Sequence, residues 1–306
     1  MPELIPRLIE NFRENKPVRA GSLIITIFGD AIAPHGGTVW LGSLIKLFEA
    51  FGLNQRLVRT SVFRLSQEGW LSAEQVGRRS YYSLTQSGRR RFESAFRRIY
   101  SAPATQWNGE WCLVFAGHSA LGATEREKLR RELTWQGFGM LAPGVLGHPA
   151  MDATDILATL QEHAVQDKVV VMRAHGMTEL GGLPLHELVA ECWHLDELSQ
   201  AYRDFLDRYR PILRQLQGVE ALEPLDCLLV RTLLIHDYRR VLLRDPQLPD
   251  ELLPADWAGT AARLLCRNLY RLTQEPAERY LLANLETADG PLPEAAPYFY
   301  NRFGGL

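Results

Sequence analysis

WLGSLIKLFEAFGLNQRLVRTSVFRLSQEGWLSAEQVGRRSYYSL, residues 40–84, decides the reading of this chain. Leu41, Leu44, Ile45 and Phe48 recur at helical spacing between Trp40 and Phe51. Gly52 stands where a helix C-cap belongs, and Asn54 is a good N-cap for a second helix over 55–68 that Gly69 ends. Two short strand-like runs around Val76-Gly77-Arg78-Arg79 then read as a hairpin. Helix, turn, helix and hairpin is the order of a winged helix-turn-helix.

That fold makes a specific demand on the second helix. One stripe must anchor it while the opposite face enters the major groove of DNA. At 100° per residue Val58, Val62 and Leu65 fall together, and Arg56, Thr60, Phe63, Arg64 and Gln67 fall opposite, with Arg59 at the edge. Arginine can bond two guanine acceptors in a fixed fork, and threonine can touch a thymine methyl or a phosphate. Arg78 and Arg79 sit at the hairpin tip, placed for the backbone or the minor groove. Arg56, Arg59, Thr60, Arg64, Arg78 and Arg79 are therefore the candidate DNA contacts. Phe63 on the outward face either meets a base methyl or packs under the wing.

Working outward, residues 20–32 read as an apolar helix, Pro34 to Gly37 as a turn, and 85–100 as a basic helix. Residues 101–105 look like a linker. Beyond it a strand over 111–116, a helix over 124–135, a strand within 138–146, a helix over 155–163 and a strand over 169–173 suggest a small α/β, ferredoxin-like unit. A loop-rich break at 176–184 precedes a helical pattern from Leu185 to about Ala283, and the Pro- and acid-rich stretch 285–297 reads as a loose arm. The expected class is α+β: a winged helix-turn-helix over 1–102, a ferredoxin-like middle domain over 106–178, and an all-α sensor and dimerisation domain over 185–306.

Charge agrees with this division. The net charge of −2 hides 15 Lys and Arg against 8 Asp and Glu in residues 1–100, and 19 against 28 in 101–306. A basic N-terminal part suits a polyanionic partner. Between Asn54 and Tyr100 there are ten arginines, no lysine and three acids. Cys112, Cys192, Cys227 and Cys266 form no CxxC pair and sit among apolar neighbours, as in a reduced intracellular protein. The N-terminal stretch carries Glu3, Glu10 and Glu14 and has no continuous apolar core, so no signal peptide is expected. No apolar run is long enough to span a membrane, and a cytoplasmic protein is expected.

Enzyme signatures are incomplete. Gly117-His118-Ser119-Ala120-Leu121 lacks the last glycine of a nucleophile elbow. His186-Glu187 begins like H-E-x-x-H, but Ala190 replaces the second histidine. Cys192 and His194 are an unusual pair for a metal, and there is neither a phosphate loop nor a dinucleotide fingerprint. A non-enzyme without cofactor or metal is expected, with a thioester hydrolase and a ligand-independent DNA-architectural protein as the alternatives.

The runs HGGTVWLGSLIKLFEAFGL (35–53), RTSVFRLSQEGWL (59–71), GRRSYYSLTQSG (77–88), TWQGFGMLAPGVL (134–146), ECWHL (191–195), LLIHDYRR (233–240), RDPQLPDELLPADWAG (244–259) and YFYNRFGG (298–305) resemble the PaaX family of phenylacetic-acid degradation repressors. The resemblance implies a cytoplasmic, dimeric repressor that binds double-stranded operator DNA and answers to phenylacetyl-coenzyme A. Such a thioester needs cations for its phosphates and an apolar slot for its acyl group. In the helix around 231–244, Val230, Leu234, Tyr238 and Val241 form an apolar stripe, and His236, Arg239 and Arg240 lie together away from it. These three, with Trp193 as a wall and His194 as a polar contact, are the candidate effector residues.

Overall fold

The computed structural model describes residues 4–14, 20–101, 107–117, 120–151, 153–176 and 184–306. Most of the expected linker, the 177–183 loop, and His118 and Ser119 of the incomplete elbow lie outside these residues. The chain groups into two packed units. One is Met1–Ala102, Arg203–Leu242 and Thr260–Leu306; the other is Pro103–Tyr202 with Leu243–Gly259. Packing thus groups the chain differently from the three consecutive segments read in the sequence. No described helix is long and apolar enough to cross a membrane.

In the first unit, α1 (Leu4–Glu14) buries Ile5 and Leu8. Helix α2 (Ala20–Ile27) runs into a π-helical turn over Phe28–Ile32. A short strand that periodicity did not reveal, β1 (Thr38–Trp40), leads into α3 (Leu41–Ala50). Gly52, at φ +73°, takes the left-handed conformation that ends α3, and the Leu53 amide bonds the Phe48 carbonyl in the same turn. Asn54 Oδ1 accepts from the Leu57 amide at 2.9 Å and starts α4 (Gln55–Gln67). Strands β2 (Leu71–Val76) and β3 (Arg79–Leu84) pair antiparallel with Val76 opposite Arg79, so Gly77 and Arg78 make the turn. Gly77 supplies the positive φ, +61°, that a two-residue hairpin turn requires. β1 joins the other edge of β3, giving the order β1-β3-β2. Thr85 Oγ1 then caps α5 (Gln86–Tyr100) through the Gly88 amide.

The second unit alternates β4 (Glu110–Phe115), α6 (Ala123–Trp135), β5 (Gly139–Ala142), β6 (Val145–His148), α7 (Ala153–Glu162) and β7 (Val170–His175). Its antiparallel sheet has the order β5-β6-β4-β7. The single strand expected within 138–146 is two strands. Gly144, at φ +79°, turns the chain there, and a Cβ on it would lie 2.7 Å from the Gly117 Cα. Strand periodicity sorts β4 between two cores. Cys112 and Val114 join Leu129, Leu133, Ile156 and Leu160 of the helices. Trp111 and Leu113 face Val189 and Trp193 of the following segment together with Leu248 and Leu252. Here α8 (Leu185–Cys192) and the start of α9 (Leu195–Gln217) take part.

Helix α10 (Pro224–Leu242) returns to the first unit and is its central element, with every residue from Cys227 to His236 buried. An apolar stripe with His236, Arg239 and Arg240 together away from it was expected; burial instead extends around the helix and takes in Arg231, Thr232 and His236. Helix α11 (Ala258–Asn284) follows. Residues 285–297 are not a loose arm. Leu285 and Leu292 are buried, β8 (Glu286–Thr287) pairs with β9 (Gly290–Pro291), and the Ala296 amide bonds the Pro34 carbonyl. Apart from this two-rung ribbon, the described C-terminal region is helical.

One buried charge network ties the first unit together. Asp30 accepts from Tyr100 (2.6 Å), Tyr270 (2.9 Å) and Arg302 (3.0 Å), and its other oxygen lies 3.0 Å from Arg231 Nε. Arg231 Nη1 donates to Glu278 at 2.6 Å, and Glu278 meets His35 Nε2 at 2.9 Å. Four charged side chains from distant parts of the sequence are thereby neutralised pairwise away from water, which an isolated buried charge could not tolerate.

Candidate functional site

Helix α4 presents two different faces. Val58, Ser61, Val62 and Leu65 are buried, and α2 and α3 pack against the helix. Arg56, Arg59, Thr60, Phe63, Arg64 and Gln67 are all exposed. Phe63 is 61% exposed, so it does not pack beneath the hairpin. Thr60 Oγ1 donates to the Arg56 carbonyl at 2.9 Å. With its amide oxygen toward Arg59, Gln55 accepts from Arg59 Nη2 at 2.9 Å and Nε at 3.0 Å. That contact steadies Arg59 along the helix surface. The Arg56, Arg64 and Arg78 side chains make no hydrogen bond or ion pair among the described residues.

Arg78 and Arg79, adjacent in sequence, differ in surroundings. Arg78 occupies the exposed turn. Arg79 lies with its guanidinium 4.2 Å over the Trp40 ring and donates through Nη1 to Glu286 Oε2 at 2.7 Å. Glu286 belongs to β8, 207 residues away, and its amide also bonds Ser43 Oγ at 3.3 Å. The C-terminal ribbon therefore reaches the tip end of the hairpin. Sequence spacing carries no signal for a pair so far apart.

The five candidate effector residues fall in different units and differ in their surroundings. Trp193 and His194 belong to the second unit; His236, Arg239 and Arg240 belong to the first. Trp193 donates to the Gly137 carbonyl at 2.7 Å, and its ring fills the space that a side chain at Gly139 would need. His194 is exposed with φ +49°. His236 is 2% exposed, its Nδ1 lies 3.1 Å from Thr26 Oγ1, and its ring meets Phe12 edge-on. Arg240 is solvated, with Asp237 4.0 Å away. Arg239 is different again. Its Nη2 donates to Ser22 Oγ at 2.7 Å and to the Ser22 carbonyl at 3.1 Å. Its Nε is buried without a hydrogen-bond partner, and no carboxylate among the described residues pairs with it. Burial and neighbouring Arg240 bring its pKa down to about 10. Among the described residues no group of three or more His, Cys, Asp or Glu could hold a metal ion.

Comparison with known proteins gives the family. Three family models match consecutive parts of the chain: PaaX-like protein over 19–88, the PaaX protein central Cas2-like domain over 104–185, and the PaaX-like protein C-terminal domain over 193–283. The transcriptional repressor PaaX of Escherichia coli (strain K12) is 40% identical over 291 residues, covering 95% of this chain and 92% of that protein. A solved structure, the uncharacterized protein Rv0674 from Mycobacterium tuberculosis, is 24% identical at a TM-score of 0.47, covering 77% of this chain and 88% of that one. With a 40% identical relative along nearly its whole length and family matches over most of its residues, the chain belongs to the PaaX family.

Proposed function

We propose that this protein is a transcriptional repressor that binds double-stranded operator DNA through a winged helix-turn-helix and leaves it when an aryl-acyl-coenzyme A thioester, phenylacetyl-coenzyme A, binds. The carrying observation is the α4 face: the side chains of Arg56, Arg59, Thr60, Arg64 and Gln67 project to solvent while Val58, Ser61, Val62 and Leu65 are buried on the other side. In this reading α4 is the recognition helix, with Arg56, Arg59, Thr60 and Arg64 as DNA contacts, and the β2–β3 hairpin is the wing, with Arg78 foremost. Arg79 joins them once it exchanges Glu286 for phosphate. The βαββαβ order of the second unit supports a ferredoxin-like middle domain over 106–178, between a DNA-binding segment over 1–102 and a helical sensor segment over 185–306. We take the repressor to act as a cytoplasmic homodimer, whose two recognition helices enter successive major grooves. Of the residues assigned to the effector, Arg239 is the one whose surroundings support the role, with His236 behind it.

The test is operator binding by a variant with Arg56, Arg59 and Arg64 all replaced by alanine. Each base-reading arginine lost should cost about 1–3 kcal/mol and relax specificity at one position. A folded triple variant with unchanged operator affinity would remove α4 from the interface. A release of free thiol from phenylacetyl-coenzyme A by the parent would favour a hydrolase instead.

A further inference from the structure

A cavity of about 710 Å³ lies within the first unit, walled by α2, the π-helical turn, α5, α10 and the C-terminal segment. That volume is in the range of small-molecule sites and far exceeds what a buried water needs. Phe92, Phe96 and Tyr100 line it. Spaced four residues apart on α5, they form one aromatic stripe. Thr26 and Arg239 line it as well, and Arg89, Glu93 and Arg97 stand exposed at its edge.

Two features distinguish this space from a packing defect. Its wall includes a mostly buried guanidinium with an unsatisfied Nε and no carboxylate partner among the described residues. An unpaired buried cation is costly, and an acceptor from a ligand would relieve that cost. Its wall is also wired to the hairpin. The Phe92 ring lies against Gly29, where a Cβ would come within 2.6 Å of it, and meets Trp70 edge-on at 5.7 Å. Trp70 precedes β2, and Leu84, the last residue of β3, lines the cavity directly.

We propose that this cavity is a ligand site for an aryl-acyl group, whose ring lies against Phe92, Phe96 and Tyr100 and whose acyl oxygen accepts from Arg239. The proposal rests on the effector reading above and adds to it a place, an orientation and a route to the wing. The same aryl-acyl chemistry can arrive as a free arylacetic acid or as its coenzyme A thioester. Only the thioester would also engage Arg89 and Arg97 with its phosphates.

The experiment measures binding of phenylacetate, phenylacetyl-coenzyme A and coenzyme A to the full-length parent, to Arg239→Leu and to Ala95→Trp. Ala95 lines the cavity from α5 and lies on neither the α4 face nor the hairpin. Both substitutions are expected to weaken binding by about tenfold or more, since one removes a charged hydrogen bond and the other fills the slot. Operator affinity without ligand should be unchanged in Ala95→Trp. In the parent the ligand should slow amide exchange in residues 25–37 and 89–100, a readout that needs no variant. If the parent binds the thioester but neither the variants nor the exchange pattern responds, the cavity is refuted while the effector reading survives. If only phenylacetate binds and the variants lose it, the cavity stands and the thioester effector fails. A parent that binds none of the three refutes the cavity.

Discussion

Glu278→Gln should make the stability of this protein markedly less dependent on acid. Glu278 lies on α11 and bonds Arg231 of α10 and His35 beside the π-helical turn, so it fastens the C-terminal region to the N-terminal one. Burial alone would raise the pKa of its carboxyl; Arg231 and His35 more than offset this and hold it at about 2, against an ordinary 4.5. At 1.36 kcal/mol per tenfold change in acidity, the ionised carboxyl contributes about 3 kcal/mol at pH 7. The folded pKa is depressed, so this contribution is full above about pH 5 and fades as pH falls toward 2. At pH 3 about 1 kcal/mol remains by the same arithmetic. Urea unfolding of parent and Glu278→Gln at both pH values measures the gap between them. That gap should narrow by about 2 kcal/mol from pH 7 to pH 3, on top of a pH-independent loss from leaving Arg231 underpaired. A gap of the same size at both pH values would refute the reasoning and show the carboxyl to be unshifted.

Glu286→Gln should spare Arg79 the exchange of Glu286 for phosphate and so tighten operator binding several-fold with little change in the log–log salt slope; an unchanged affinity would show that Glu286 does not compete with phosphate for Arg79. Arg78→Ala should flatten the same slope by about one unit while weakening all duplexes alike. Asn54→Ala removes the cap on α4 and should lower unfolding stability by about 1 kcal/mol, with operator affinity following any fraying of the helix start. Gly144→Val meets both a left-handed backbone and the Gly117 Cα, so thermal unfolding should show the second unit destabilised or unfolded; a wild-type melting curve would put the turn elsewhere.

The segment from α3 to β3 was legible because its rules are local. Hydrophobic spacing, the Asn54 cap, Gly52 and Gly69 as stops and Gly77 as a turn each act within four or five residues, and the two α4 faces follow from 100° per residue. Strand β1 escaped notice because three residues are too few to show periodicity. The split of 138–146 into β5 and β6 hinged on Gly144, whose neighbour Gly117 is remote in sequence.

What the sequence by itself determined is thus the family, the α3–α4–hairpin order and the outward arginines of α4. The tertiary structure alone decided what α10 and the C-terminal stretch do. Helical spacing set His236 and Arg239 apart from a stripe, but solvent or protein on that side depended on α2 and α5 packing there. The same packing joined Asp30, Arg231, Glu278 and Arg302, paired Arg79 with Glu286, and left Arg239 beside an aromatic cavity. These contacts join residues up to 272 positions apart. Charge and burial at such sites are properties of the assembled core, where long-range neighbours replace water, and no local pattern encodes them.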